Sequence, residues 1–461
     1  MAADAAIASP AERSSAASQL LEQLTADSSS ECLLEVSQVG QAARITASRD
    51  IPAGKVVLEL AAAAGVTSTE DAAKHQEIGS LAEGRDELIG LTLWLLAEQH
   101  QAEHSSAAEA VLATLPAHTS SPMLWASGER REMLRGSPAL EEAEQLESDV
   151  RGEWASISSA AESASNPLTG YANEQKFVEA FSVVLAHAHY LTSAQCFALL
   201  PLIPLLQRST DPDAAVLDYD LDRNVVVVTT QRSYRQGEEV RLAFQGTTAQ
   251  QLVQLGALEP DPFAGSRELT FSLVKSDRMF QGKVQILADM GMQPEETFPV
   301  YEDRMPAQLL PYLRLSRIQE ADDFAKINMK DDRMVSDINE YEILQLLAGE
   351  ARTLLGRYAG NAEEDLKKLQ NPRMPEQERL ATRLLMAEKK ALEGTLATAR
   401  KRLAPIRGLA PVKGGKLKNV NSDLMDIFDT IESIPNKPGE LIGEFMSWAR
   451  GEKDPTWKKR K

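Results

Sequence analysis

His187, His189 and Arg208 are the side chains whose types and spacing point most directly to chemistry. Brought together, two imidazoles and a guanidinium make an anion site, because they present several N–H donors and one permanent positive charge. The plainer reading leaves Arg208 as a solvated loop residue beside Ser209, Thr210 and Asp211. Metal chemistry has weaker grounds. The six histidines form no HExxH or comparable ligand spacing, and Cys32 and Cys196 stand far apart, outside any CxxC pair. No metal site and no disulfide framework are expected, and such sparse cysteine points to a reducing intracellular compartment.

The elements able to position these residues are read from pattern. Cys32–Val36, Ala43–Ala47 and Val56–Leu60 read as short strands, with a turn at Asp50–Gly54 where Pro52 presets φ and Gly54 closes the bend. Over 86–99 the period becomes helical, with Leu88, Leu91 and Leu95 on one side and Trp94 beside them. The chain stays mostly helix-like to about 190, and the polar segment 145–168 reads as either a loop or a loosely packed helix. Strand character returns in Val216–Leu221, Val225–Thr229 and Val240–Phe244, separated by turns at Arg223-Asn224 and Arg235–Gly237. β-rich segments thus flank a helical insert, and a compact sheet needs both ends of the region.

From about residue 300 the pattern is almost wholly helical. Leu344, Leu347, Ala351, Leu354 and Tyr358 make one apolar stripe, and Leu385, Leu392, Leu396 and Leu403 make another after Pro375. Asn361 followed by Glu364 predicts a capping box. Val412–Lys416 reads as a linker. Beyond it Phe428 and Ile431 lie on one short amphipathic helix and Phe445 and Trp448 on another, with Pro435 and Pro438 between them. Such helices either dock on their own helical domain or form a partner-binding arm. The closing Lys458–Lys461 run reads as a solvated tail.

With 461 residues the chain has room for two or three domains. Its net charge of −19 is the opposite of a nucleic-acid binder's basic footprint. No apolar run is long enough for a membrane span. The first thirty residues are rich in Ala and Ser but carry Asp4, Glu12 and Glu22, unlike an acid-poor transit peptide, so any targeting segment is expected to have been removed or never present.

Several stretches in order resemble the plant SET-domain family of Rubisco large-subunit lysine methyltransferases. "ASRDIPAGKVVLEL" at 47–60 is similar to the family's opening strands, and "LIGLTLWLLAEQ" at 88–99 to its first insert helix. "LLPYLRLSRIQEADDF", "VSDINEYEILQLLAGEARTLLGRY", "AEEDLKKLQ" and "ATRLLMAEKKAL" resemble its helical substrate-binding domain. The resemblance spans about 32–405 and implies an α+β fold. In that fold a disordered segment, 1–30, precedes a SET domain of short β-sheets over 31–265, with its helical insert at about 70–190. An all-α substrate-binding domain over 266–410 follows, and then a linker and amphipathic arm over 411–461.

Active members of that family transfer a methyl group from S-adenosylmethionine to a neutral lysine amine. The resemblance implies positions for that chemistry, and here most are substituted. The family's Gly-x-Gly turn reads Gly40-Gln41-Ala42. Its cofactor-carboxylate arginine falls on His187, which lacks a guanidinium's fork. Its Asn-His pair becomes Gln207-Arg208, after Pro204 in place of an aspartate. The two tyrosine positions become Phe244 and Leu255. Losing one transition-state hydrogen bond costs on the order of 10²–10³ in rate.

The resemblance therefore implies a methyltransferase-family protein that has lost catalysis and cofactor and acts as a protein-binding module or assembly subunit. Under that reading Phe428, Ile431, Phe445 and Trp448 are partner-binding residues. The alternative is an active S-adenosylmethionine-dependent protein-lysine methyltransferase with rebuilt contacts, in which Tyr190, Tyr219 or Tyr234 supplies a missing hydroxyl. The expected partners are proteins, with no nucleic acid and no membrane span. A soluble intracellular protein is expected, and family resemblance alone points to the chloroplast stroma.

Overall fold

Alternating valines and short turns, more than long strands, shape the first part of the chain. In a computed structural model, residues 10–26, 32–39, 42–259, 265–324, 326–406, 409–412 and 416–419 are described. Gly40 and the arm residues Phe428, Ile431, Phe445 and Trp448 lie outside the described residues. The chain divides into two compact units, one of residues 1–130, 138–246 and 250–260, the other of 131–137, 247–249 and 261–461.

In the first unit, β1 (Leu34–Val39) and β2 (Ala42–Ala47) form an antiparallel hairpin that pairs Ser37 with Arg44. β3 (Val56–Ala61) pairs with a later strand, Val225–Thr229, which itself pairs with Val216–Asp220. Val226 and Val228 turn into the core while their neighbours do not, which is the period of two that a half-buried strand requires. Asn224, at φ +54°, closes that hairpin in the left-handed conformation asparagine tolerates better than most residues. A second small sheet joins β4 (Val66–Thr67), β5 (Ala188–Leu191) and β6 (Cys196–Leu199).

Between these sheets lies the insert. Helix Glu87–His100 is capped by the Asp86 side chain, which accepts from the Leu88 N–H, and is buried on nearly all sides. The polar segment 145–168 resolves as part of a 26-residue helix, Pro138–Ser163. It buries Ala139, Ala143, Val150, Trp154, Ile157 and Ala161 at three- and four-residue steps, a sparse stripe among charges. The expectation of disorder over 1–30 needs correction. Pro10–Ala26 is helical, and Ala17 and Leu21, four apart on one face, are buried in the core beneath the β1–β2 hairpin.

The second unit is helical, as the stripes predict. Leu344, Leu347, Ala351, Leu354 and Tyr358 are buried with Leu392, Leu396 and Leu403 in one core. Ser336 caps helix Asp337–Leu355, and Asn361 and Glu364 form the expected capping box. The unit is not all-α, however. An antiparallel ribbon of Ser266–Ser272 with Glu295–Tyr301 opens it. Leu269 and Phe271 alternate with exposed Thr270 and Ser272, and they join Phe298 and Val300 in the helical core. Two half-apolar strands this far apart give no local hairpin signal.

Helix Glu376–Leu403 passes so close to Glu302 that a Cβ added at Gly394 would stand 1.9 Å from the Glu302 carbonyl oxygen. Alanine gains about 1 kcal/mol in helix propensity over glycine, but a backbone overlap outweighs it. Gly394→Ala is expected to lower stability by on the order of 2 kcal/mol, read as a lower urea midpoint by circular dichroism. A midpoint at or above the wild type's would contradict the close approach.

Candidate functional site

Two distant segments run side by side to build the site. Arg208–Ser209 lies parallel to Leu242–Ala243, with the Leu242 N–H donating to the Gln207 carbonyl (2.9 Å) and the Phe244 N–H to the Ser209 carbonyl (2.7 Å). On the opposite edge, the Ala243 N–H donates to the Ala215 carbonyl (2.8 Å) and the Ala215 N–H to the Arg241 carbonyl (2.9 Å). The segment leading in is unusual. Leu202 is fully buried at φ +67°, a left-handed conformation that is a real outlier for a bulky residue. It starts the short turn Ile203–Leu205 that delivers Gln207 and Arg208.

Arg208 is partly buried, and its Nη1 donates to the Ala243 carbonyl at 3.3 Å. Burial lowers its proton affinity, to a pKa of about 10. His187 ends helix Glu174–His187, and its carbonyl accepts from His189 Nδ1 at 2.9 Å. That bond makes Nδ1 the protonated nitrogen of neutral His189 and leaves Nε2 with a lone pair. Nε2 is buried and has no partner. Burial, then the positive charges of Arg208 and Arg44, push the His187 pKa down to about 3. Burial and Arg208 push His189 down as well, against the opposing effect of its bond to the His187 carbonyl.

Arg44, on β2, joins the group from the hairpin. Its Nε lies 3.3 Å from Glu239 Oε1, and Glu239 also meets Arg241 Nη2 at 3.0 Å. With its amide nitrogen facing Glu239, Gln207 donates to Oε1 at 3.1 Å. Opposite Arg44 on β1, the Ser37 hydroxyl is buried without a partner. One carboxylate thus serves two guanidiniums and an amide. Just downstream, the Glu259 carboxylate accepts from Ser209 Oγ (3.1 Å) and from the Thr210 N–H and hydroxyl, fixing the loop after Arg208.

The structure thus brings His187, His189, Gln207 and Arg208 into one neighbourhood, and the solvated-loop reading of Arg208 does not hold. Ala42 lies at the end of β2. The Phe244 ring covers Gly246, where an added Cβ would stand 2.7 Å from the ring. Leu255 ends helix Thr248–Leu255, and the following Gly256 (φ +63°) makes the tight close that its glycine permits. Of the three candidate tyrosines, Tyr234 alone brings its hydroxyl, buried and unpartnered, near the crossing, beside the backbones of Ala215 and Arg241. Tyr190 is exposed against Phe197, and Tyr219 bonds Asn224. Tyr234 is buried, with the Arg232 guanidinium 4.1 Å from its ring centroid. Pattern reading missed Arg44, Glu239 and Ser37. The available signal was Arg44 itself, a charge beside the glycine turn on a strand whose neighbours Ala43 and Ile45 point inward. Among the described residues, no group of three His, Cys, Asp or Glu side chains could hold a metal ion, and no helix is long and apolar enough to cross a membrane.

Residues 274–392 match the family described as Rubisco LSMT substrate-binding. The chain is 24% identical, over 79% of its own length and 78% of the relative's, to an Arabidopsis thaliana protein named [Fructose-bisphosphate aldolase]-lysine N-methyltransferase, chloroplastic. It is 22% identical, over 76% of its length and 74% of the relative's, to a Nicotiana tabacum Rubisco large-subunit N-methyltransferase, also named chloroplastic. In fold it is similar to the SET domain of LSMT bound to lysine and AdoHcy, with a TM-score of 0.62 and 19% identity over 85% of this chain and 93% of that one. The chain therefore has the fold of the LSMT SET-domain structures, carries a segment that matches the Rubisco LSMT substrate-binding family, and is similar in sequence to protein methyltransferases.

The buried imidazoles make stability depend on pH. Folded His187 stays neutral down to about pH 3, whereas an unfolded histidine protonates near 6.5. Between those values the unfolded chain binds more protons, so stability rises with pH and is lost as pH falls below 6.5. The urea midpoint is expected to drop from pH 7 to pH 5, and to drop less in His187→Gln. Equal drops in the two proteins would remove His187 from the account.

Proposed function

We propose that this protein keeps the SET fold and its substrate-binding domain to bind a protein, and no longer transfers methyl groups. The observation that carries the reading is the set of bonds made by Gln207 and Arg208. Arg208 turns onto the Ala243 carbonyl of its own crossing strand, and Gln207 onto Glu239. Both side chains are engaged in holding the site's own framework.

S-adenosylmethionine would supply an activated methyl group on a sulfonium cation. The residues present do not fit it. The position that the resemblance assigns to the cofactor-carboxylate arginine is His187, a buried imidazole whose pKa is pushed down to about 3, so it stays neutral and offers no guanidinium fork. Phe244 and Leu255 have no hydroxyl to orient a lysine amine, Tyr190 is exposed and Tyr219 bonds Asn224. No step of methyl transfer is derived through these residues.

Support for protein binding comes from the contrast with the second unit, whose core is complete and whose segment 274–392 matches a substrate-binding family. The two plant relatives act, by their names, on proteins, one of them on a lysine, and both are named chloroplastic. A plastid location is accordingly part of this proposal.

Calorimetric titration of the purified full chain with S-adenosylmethionine tests it, alongside a Gln207→Asn/Arg208→His double variant. The expected outcome is no binding heat for the native protein at up to millimolar cofactor. Micromolar binding by the native protein would overturn the reading and restore an active lysine methyltransferase.

A further inference from the structure

A half-buried cluster with more positive than negative charge asks for an anion, and the first unit contains one. Arg44, Arg208 and Arg241 bring three guanidiniums to the crossing of 207–209 with 242–244, and Glu239 is the carboxylate that Arg44 and Arg241 meet. Arg208 itself meets only a backbone carbonyl. Charged side chains buried for structure in this protein look different. Arg130 meets Glu147 at 2.6 Å, Arg314 meets Glu340 at 2.7 Å, and Lys389 meets Asp365 at 2.6 Å. A buried charge without a counter-charge is costly, so its persistence points to a ligand that supplies the missing negative charge.

Two orphaned atoms narrow the chemistry. His189 is 92% buried, and its Nε2, an acceptor once Nδ1 donates to the His187 carbonyl, has nothing to accept from. The Ser37 hydroxyl, across from Arg44, is also unsatisfied. The matching ligand therefore carries anionic oxygens for the guanidiniums and an O–H for the imidazole lone pair. Sulfate and fully ionised carboxylates offer no O–H, whereas a protonated phosphate offers both.

We propose that Arg44, Arg208, His189 and Ser37 form a binding site for a protonated phosphate group, taken either as free hydrogen phosphate or as the end of a phosphate monoester. Arg208 and Arg44 bind the anionic oxygens, and His189 Nε2 accepts the phosphate O–H. The site shares Arg208 with the positions on which the proposed function rests, and the phosphate-against-sulfate comparison distinguishes its failure from that of the titration with S-adenosylmethionine.

The test is calorimetry and thermal unfolding of the full chain at pH 6, with chloride holding ionic strength constant. Inorganic phosphate is expected to bind and raise the melting temperature, and sulfate to do so at least about tenfold more weakly, the worth of one charge-assisted hydrogen bond. Methyl phosphate separates the sources. Binding of both phosphates assigns an ester end, and binding of inorganic phosphate alone assigns the free ion. Arg208→Gln is expected to weaken phosphate binding at least about tenfold while keeping or raising the melting temperature in chloride, because an uncompensated charge is removed. Equal responses to phosphate and sulfate, no phosphate binding at millimolar concentration, or a full phosphate response in Arg208→Gln would each overturn the proposal. The phosphate-against-sulfate comparison uses the native protein and stands even if a variant misfolds.

Discussion

The parallel crossing of Gln207–Ser209 with Leu242–Phe244 is the constraint on which the first unit's chemistry depends. Four backbone hydrogen bonds hold residues 242–244 between two partners, 207–209 on one edge and 215 on the other. Once that is made, the side chains at 207 and 208 have little choice of direction. One faces Glu239 and the other folds back on Ala243, beneath the histidines that end helix Glu174–His187 and begin β5. The strained Leu202 belongs to the same device. Its left-handed backbone persists because a buried leucine at that point completes the core, and the turn it starts aims the next residues at the crossing.

That geometry leaves the side chains at its centre free to vary. The crossing is a main-chain arrangement, so any residue that donates and accepts through its backbone can occupy it. The apolar positions are less free, because Leu205, Leu206, Val240 and Leu242 fill one continuous core. Polar positions at the site can therefore change their chemistry without unmaking the sheet.

Much of this was legible in the sequence where the signal is local. The capping box at Asn361, the valine strand Val225–Thr229 and the helix stripes all depend on residues a few positions apart, and the structure shows each of them. The helix Pro10–Ala26 was not legible, because in a polar, serine-rich sequence Ala17 and Leu21, with Leu20 partly buried beside them, give too sparse an apolar stripe. The ribbon Ser266–Ser272 with Glu295–Tyr301 pairs strands separated by a whole helix, Phe280–Asp289, which no short-range pattern reports. At the site, His187, Gln207 and Arg208 could be named from motif position, but their partners could not. Glu239 reads as one more acid in a polar turn until the fold brings Arg44, some two hundred residues earlier, against it.

The charges in the two units follow different logics, and the difference bears on what each unit is for. In the second unit Arg314 is wholly buried, yet Glu340 and Asp332 surround it, and Asn339, the residue before Glu340, donates to the Arg314 carbonyl. Such a network adds little net stability over an apolar replacement, but it fails badly when one member is removed, so it fixes how the helices meet. In the first unit the cationic side chains converge, and Glu239 is shared between Arg44 and Arg241, with the Gln207 amide as a third partner. Arg241 donates to it through both Nε and Nη2, while Arg208 meets the Ala243 carbonyl. The structural charges Arg130, Arg314 and Lys389 each meet a carboxylate. Arg208 meets a backbone carbonyl instead, and a guanidinium so placed near a buried lone pair is an arrangement that a bound anion completes.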